Sequence, residues 1–309
     1  MFIDEVKHDI LLAAFQAVRE NRGAPGIDGV SIGRFEDNLE HNLERLSQEV
    51  VSGNYFPLPQ LQLLVDKGKG DGEARKLCIP AVRDRVLQKA VLNAVEPVLD
   101  REFEDSSFAY RKGRSVKQAV HRIKEYYDQG YRWVLDADID AFFDSVDHGL
   151  LMDKVRRFIS DEDIVNLIGQ WISAEVWDGA LTATQKGIPQ GSPVSPVLAN
   201  LFLDELDEAL LADGCRYVRY ADDFIVLCKT REQAAEALAF TNDVLEKLML
   251  TLDKAEVVSF DQGFAYLGVV FVRSMIMKPF EHVHKNHRVL SYPPPFDLGA
   301  YLERRRTQA

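Results

Sequence analysis

Cysteine is scarce in this chain: Cys78, Cys215 and Cys228 are the only three in 309 residues. An odd number without a C-x-x-C pair argues against a disulfide framework and a paired-cysteine zinc site, and it fits a reducing compartment. No run of about 18 apolar residues occurs, so no membrane-spanning helix is expected. The start, "MFIDEVKHDI", has no basic segment leading into an apolar one, so no secretory leader is expected either. The expectation is a cytoplasmic protein without a membrane partner. Basic residues are outnumbered: 37 Lys and Arg against 49 Asp and Glu leave a formal net charge of −12. That balance argues against holding nucleic acid by bulk charge alone, while leaving room for a local basic groove. Internal repeats are absent as well.

What is present is a core-forming sequence. Hydrophobic residues make up 46%, enough for one large or two modest domains. Apolar spacing predicts helices over 9–21, 35–50, 82–103, 115–129, 148–159, 161–176, 194–211 and 231–250. "LQLLVDKGKGDGEARKLCIP" (61–80) predicts strand, Lys/Gly/Asp-rich loop, strand. "YRWVLDADID" (131–140) predicts a strand that ends in acids. "CRYVRY" and "FIVLC" predict a hairpin around "ADD", and "AEVVSF" and "FAYLGVVFV" predict closing strands. After Arg273 the periodicity fails, and "SYPPPF" (291–296) predicts a stiff linker. The order gives an α+β fold, an antiparallel sheet with helices packed on one face.

Three acids stand at strand ends: Asp138, and the adjacent pair Asp222 and Asp223. Neighbouring strands of an antiparallel sheet can bring them together. Carboxylates so placed raise one another's pKa unless a cation joins them. Magnesium takes one or two carboxylates plus substrate phosphates. Two such ions clamp an in-line displacement at phosphorus. A solvated Asp-Asp turn is the plain alternative for "ADD" taken alone. "GIPQGSPVSP" (187–196) adds Gly187 and Gly191, which permit close backbone approach, and Gln190, whose amide can bond a sugar or base edge. A rigid helix-entry loop is its plain alternative. "SSFAYRKGRSVKQAVHRIK" (106–124) holds six Lys or Arg and no acid, a local reversal of the chain's charge. Its loop residues Arg111, Lys112 and Arg114 suit phosphate contacts, and a second basic tract runs from Lys67 to Lys76.

Read in order, these segments resemble the reverse transcriptases, close to the bacterial group II intron-like lineage. "DIDAFFDSVDH" (138–148) is similar to the first palm motif, "GIPQGSPVSPVLANLFLDELD" to the Pro-Gln-Gly motif and "YADD" (220–223) to the aspartate box. "LTLDKAEVVSF" (250–260) and "FAYLG" (264–268) resemble the two motifs that follow. "RKLCIPAVRDRVLQ" (75–88) and "SSFAYRKGRS" (106–115) resemble the fingers motifs.

The resemblance implies a right-hand polymerase of fingers and palm with a short or absent thumb. Residues 1–130 are then N-terminal helices and fingers, 131–272 the palm with a helical insertion about 149–180, and 273–309 a linker or truncated thumb. It implies a reverse transcriptase that adds deoxynucleotides to a DNA or RNA primer on an RNA template. Two Mg²⁺ ions, with Mn²⁺ as a substitute, are held by Asp138, Asp222 and the Ile139 backbone carbonyl, with Asp223 as a weaker or outer ligand. Phe143 is the expected steric gate against a 2′-hydroxyl, although one of Phe142 and Phe143 must be core. Gln190 and Gly191 line the nucleotide pocket, Arg75 and Arg111 hold the triphosphate, and Lys254 sits by the pyrophosphate. Lys67, Lys69, Lys112 and Arg114 contact nucleic acid. Related short bacterial enzymes serve CRISPR spacer acquisition or phage defence, so an integrase or other protein partner is expected. A catalytically weak polymerase-shaped scaffold that binds RNA or protein, or another template-dependent nucleotidyltransferase, is the alternative.

Overall fold

The computed structural model describes residues 8–66, 74–278 and 289–308. In chain order the elements are α1 (His8–Glu20), α2 (Ile32–Glu36), α3 (Leu39–Val51), β1 (Gln60–Asp66), β2 (Ala74–Ile79) and α4 (Val82–Leu99). Then come α5 (Val116–Asp128), β3 (Trp133–Ile139), α6 (Phe142–Ser145), α7 (His148–Phe158), α8 (Glu162–Ile172), β4 (Val176–Trp177) and β5 (Leu181–Thr182). The rest are α9 (Ser195–Ala212), β6 (Arg216–Tyr220), β7 (Asp223–Cys228), α10 (Arg231–Lys247), β8 (Leu252–Ser259), β9 (Phe264–Tyr266), β10 (Val269–Val272), β11 (Met275–Met277), β12 (Val289–Ser291) and α11 (Leu298–Gln308). No helix among the described residues is long and apolar enough to cross a membrane.

Two compact units result, and they do not follow chain order. The first joins Met1–Pro97, Val155–Ser195 and His284–Ala309; the second joins Val98–Lys154 and Pro196–Val283. The sequence boundaries at 130 and 272 therefore fall inside the second unit, and the helical insertion divides at Lys154.

In the first unit, α1 buries Leu11, Ala14, Phe15 and Val18, the i, i+3, i+4, i+7 stripe of an amphipathic helix. The helix expected over 35–50 is two helices. Ser31 caps the short α2 through its side chain, and the chain turns at Asp37–Asn38 before α3 begins. Phe35 still reaches the core, stacked on Phe15 at 5.7 Å between ring centroids. α8 starts at an Asp161 cap and buries Ile164, Val165, Leu167, Ile168, Trp171 and Ile172.

β1 is the hub of this unit's sheet. It pairs antiparallel with β2 along its length, parallel with β4 at Gln60 and Leu61, and antiparallel with β12 at Leu64 and Val65. The tail is thus more than a linker. After β12, the Trp177 indole N–H donates to the Pro294 carbonyl at 2.9 Å, Phe296 packs between Trp177 and Tyr301, and α11 follows. Prolines stop regular structure locally, but they leave aromatic neighbours free to dock.

The second unit is built on a four-stranded antiparallel sheet, order β6-β7-β3-β8. β3 reads as a nearly continuous buried run because it is central, with β7 on one side and β8 on the other. Val134, Val218, Ile225 and Leu227 join Ile123 and Tyr126 of α5 and Phe260, Phe264, Tyr266 and Phe271 in one apolar cluster. α10 packs on β3, β7 and β8. β9, β10 and β11 form a separate three-stranded meander.

Candidate active site

The acids predicted at strand ends meet in the second unit. β3 and β7 run antiparallel in a register that sets Asp138 directly opposite Asp223. Side chains alternate along a strand, so Asp136 shares Asp138's face. On the other side of β3, Lys254 stands opposite Asp138 and Glu256 opposite Asp136. The Lys254 ammonium donates to Asp136 Oδ2 at 2.7 Å and lies 3.6 Å from Glu256. The hydrogen bond to Asp136 is the main reason its pKa is raised. Asp136, Asp138, Asp223, Lys254 and Tyr266 line a pocket of about 230 Å³.

Asp222 sits one residue back, in the two-residue turn between β6 and β7, where Tyr220 pairs with Asp223. It does not line this pocket. Burial raises its pKa, opposed by its own backbone N–H and by Arg219. The Asp223 carboxyl is pushed up to about 7, first by burial and then by the charges of Asp138, Asp136 and Asp222. A carboxylate in that position is short of positive charge. Hard oxygen donors gathered on one face suit a divalent cation such as Mg²⁺ or Mn²⁺. Among the described residues no three His, Cys, Asp or Glu converge closely enough to hold an ion by themselves. Two carboxylates with open positions are the arrangement in which nucleotide phosphates supply the remaining ligands.

The aromatic pair after β3 is sorted by the fold. Phe142 is buried against Phe202, with ring centroids 6.3 Å apart, while Phe143 is partly exposed. Ala141, between the β3 acids and this pair, has φ +41°, so the chain turns sharply there. The Ile139 residue ends β3, where its carbonyl was expected to face a cation.

The basic residues divide. Arg111 was expected at the triphosphate, but its five N–H groups are all in use. Nε meets Asp100 Oδ1 at 2.6 Å, Nη1 meets the carbonyls of Glu104 and Ser107, and Nη2 those of Asp100 and Phe103. It closes the loop before α5, and its side chain is 4% exposed. Arg114 is tied to Asp105, and Lys112 is exposed. Arg75 lies exposed on β2 in the first unit, while Lys67 and Lys69 lie outside the described residues.

Gln190 and Gly191 also belong to the first unit. The Gln190 carbonyl accepts from the Cys78 N–H at 2.7 Å, which seats the Pro-Gln-Gly loop on the end of β2. Gly191 has φ +123°, and a Cβ there would stand 2.3 Å from the Cys78 carbonyl oxygen, so only glycine fits.

Asp136 and Tyr266 join the pocket in addition to the acids at the strand ends. The first was legible: it lies two residues before Asp138 on a strand, hence on the same face. Tyr266 was not, because its contact with the β6–β7 hairpin exists only once the chain has folded. A larger cleft of about 1330 Å³, within the first unit, is lined by Arg34, Arg45, Arg83, Glu49, Tyr55 and Tyr301. Arg45 and Arg83 there are both paired with Glu49.

An antiparallel sheet that carries paired acids at the junction of a central strand and a hairpin defines a palm-type nucleotidyltransferase. The chain belongs to the reverse transcriptase (RNA-dependent DNA polymerase) family, which matches residues 66–271. It is an RNA-directed DNA polymerase of the group II intron-like lineage. It is 34% identical to protein YkfC of Escherichia coli over 307 residues, 85% of this chain and 80% of that one. To the group II intron-encoded protein LtrA of Lactococcus lactis it is 32% identical over 223 residues, covering 71% of this chain and 36% of LtrA. A chain of the Candida albicans telomerase structure superposes with a TM-score of 0.62 at 12% identity, over 90% of this chain and 54% of that one, a likeness of fold alone.

Proposed function

We propose that Asp138, Asp222 and Asp223 are the carboxylates on which this polymerase gathers its divalent cations. The observation that carries the reading is the β3–β7 register, which puts Asp138 and Asp223 on one face with Asp223 pushed up to about 7 by its neighbours' charge. In the reaction a primer 3′-hydroxyl replaces pyrophosphate at the α-phosphorus of a deoxynucleoside triphosphate. Bound magnesium supplies charge neutralisation at the attacking and leaving oxygens.

The chain's own residues do the rest. The acids hold the cations, with the Ile139 carbonyl as a further ligand. Lys254, positioned by Asp136, keeps a positive charge at the pocket's edge for the pyrophosphate. Phe143 offers its free ring under the sugar, supported by buried Phe142. Gln190, Gly191 and Arg75 keep the nucleotide-binding roles that the resemblance implies. Arg111 is withdrawn from the triphosphate, since it has no N–H to give.

For the setting, the resemblance supports a cytoplasmic role in CRISPR spacer acquisition or phage defence beside an integrase-type partner. Co-purification of the tagged chain from its host tests this; recovery without such a partner removes it.

Primer extension on an RNA template with Mg²⁺ tests the site. Asp138→Ala and Asp223→Ala lower kcat at least ~100-fold with an unchanged circular dichroism spectrum. Full activity in either variant overturns the assignment. In the same assay Phe143→Ala raises ribonucleotide incorporation relative to deoxynucleotide. Unchanged selectivity takes Phe143 out of the gate.

A further inference from the structure

The hairpin that carries the aspartate pair is held from within by a buried cation. Arg219, on β6, has no exposure at all. Its Nε donates to Asp207 at 2.9 and 3.1 Å, and Nη2 donates to the same carboxylate. Nη1 faces the other way. It donates to Asn200 Oδ1 at 3.0 Å and to the Ala221 carbonyl at 2.9 Å. Asn200 and Asp207 lie seven residues apart on α9, two turns along one helix face. The Asn200 amide is itself fixed, donating to the Ala109 carbonyl at 2.9 Å. The main chain of Arg219 is tied as well: its N–H donates to Ser106 O at 2.9 Å, and its carbonyl accepts from the Phe108 N–H at 3.0 Å.

The residue at the end of this chain of contacts is strained. Ala221 has φ +62°, at the first of the two turn positions. A side chain there is sterically costly, and glycine is the residue that turns of this kind favour. Such a conformation persists when its surroundings over-determine it, and it clusters at functional sites. Ala221 directly precedes Asp222, and Asp223 opens β7.

A buried Arg–carboxylate pair is a poor source of stability, since an apolar replacement of both partners often serves as well. Its presence therefore calls for another reason. The strands beside the turn are restrained too. The buried Tyr266 hydroxyl lies within bonding reach of the Asp223 carbonyl at 3.0 Å and the Val218 carbonyl at 3.2 Å.

We propose that Arg219, seated on Asp207 and Asn200, is a positioning residue. Its bond to the Ala221 carbonyl holds the turn at positive φ and thereby sets Asp222 and Asp223 against Asp138 for cation binding. The proposal rests on the reading of those acids as cation ligands. It assigns Arg219 no contact with substrate. Without the bond, Ala221 relaxes toward negative φ and the two carboxylates leave their positions.

The test measures Mn²⁺ binding to the full-length protein by calorimetry, without nucleotide, alongside the Mg²⁺ midpoint of primer extension. Arg219→Lys keeps a charge for Asp207 but cannot also reach Ala221. The expected result is an affinity for Mn²⁺ at least ~10-fold weaker and a Mg²⁺ midpoint raised by a similar factor. The decisive variant adds Ala221→Gly to Arg219→Lys. Glycine adopts positive φ without steric cost, so the double variant recovers several-fold of the lost affinity. A purely structural ion pair gains nothing from glycine at 221. Should Arg219→Lys not fold, the paired Arg219→Met/Asp207→Leu variant removes both charges together and serves the same comparison with and without Ala221→Gly.

Wild-type Mn²⁺ affinity in the Arg219 variants, or a loss that glycine leaves unchanged, overturns the proposal. Asp222→Ala and Asp223→Ala run as controls. If they bind Mn²⁺ as the wild type does, the cation reading itself has failed. If they lose it while Arg219→Lys does not, only the positioning role has.

Discussion

At the residue scale, burial decides what a charged side chain can do. Arg111 and Arg75 look alike in a sequence, as basic residues in fingers-like motifs. One spends every donor on loop carbonyls and Asp100, while the other is exposed on β2. Arg111→Ala leaves four carbonyls without that donor. It is expected to lower Tm by several degrees and to leave the KM for deoxynucleotide unchanged in the folded fraction. A KM rise without a Tm change would return Arg111 to the nucleotide.

Asp204 makes the opposite case. It is buried beside Asp207 and Glu208, one carboxylate oxygen has no hydrogen-bond partner among the described residues, and its pKa is pushed up to about 7. The raised value means the folded state binds a proton that the unfolded state releases near pH 4. The stability it contributes is full below pH ~4 and is lost as pH climbs to ~7. Asp204→Asn is neutral throughout. Melting curves should show the variant equal to wild type near pH 4 and a few degrees more stable at pH 8. A constant difference across that range would rule out this titration.

At the element scale, the loops are fixed by single close approaches. The Pro-Gln-Gly segment is seated on β2 by one backbone hydrogen bond and by the gap at Gly191. Gly191→Ala drives a methyl group into the Cys78 carbonyl at a φ that side chains avoid. It should cost about 2 kcal/mol or more, read as a lowered urea midpoint with an unchanged m-value. An unaltered midpoint would mean that the loop can leave β2 freely. The helices were legible because their signal is local: Ser115, Asp161 and Thr230 cap α5, α8 and α10, each just before an apolar stripe. The division of 35–50 into α2 and α3 was hidden, because Phe35 and Leu39 continue the apolar spacing through a turn whose break lies in the backbone.

At the scale of the whole molecule, the chain's two compact units draw on distant segments. The tail beyond 284 belongs to the unit that begins the chain. Its attachment is aromatic: Phe296 lies 4.9 Å from the Trp177 ring and 5.6 Å from Tyr301, whose hydroxyl donates to Glu175. Phe296→Ala removes the centre of that cluster. Trypsin should then cut at Arg304, Arg305 and Arg306 several-fold faster than in the wild type, with the rest of the chain equally protected. Equal cleavage rates would show that β12 and the Trp177–Pro294 and Tyr301–Glu175 hydrogen bonds hold the tail without Phe296.

The sequence by itself determined the family, the order of elements and the acids at the strand ends. Those signals are local: ordered motifs, a two-residue turn, periodicities of 2 and 3.6. It also contained the Phe142–Phe143 pair without saying which ring was free. Only the tertiary structure decided that Phe143 is partly exposed while Phe142 is buried, that Asp136 and Lys254 complete the face of Asp138 and Asp223, and that Arg219 grips the turn at Ala221. Each of these depends on which strand lies beside which. That is fixed by the packing of residues about a hundred positions apart, such as Val134 opposite Leu227, and no window of sequence holds both.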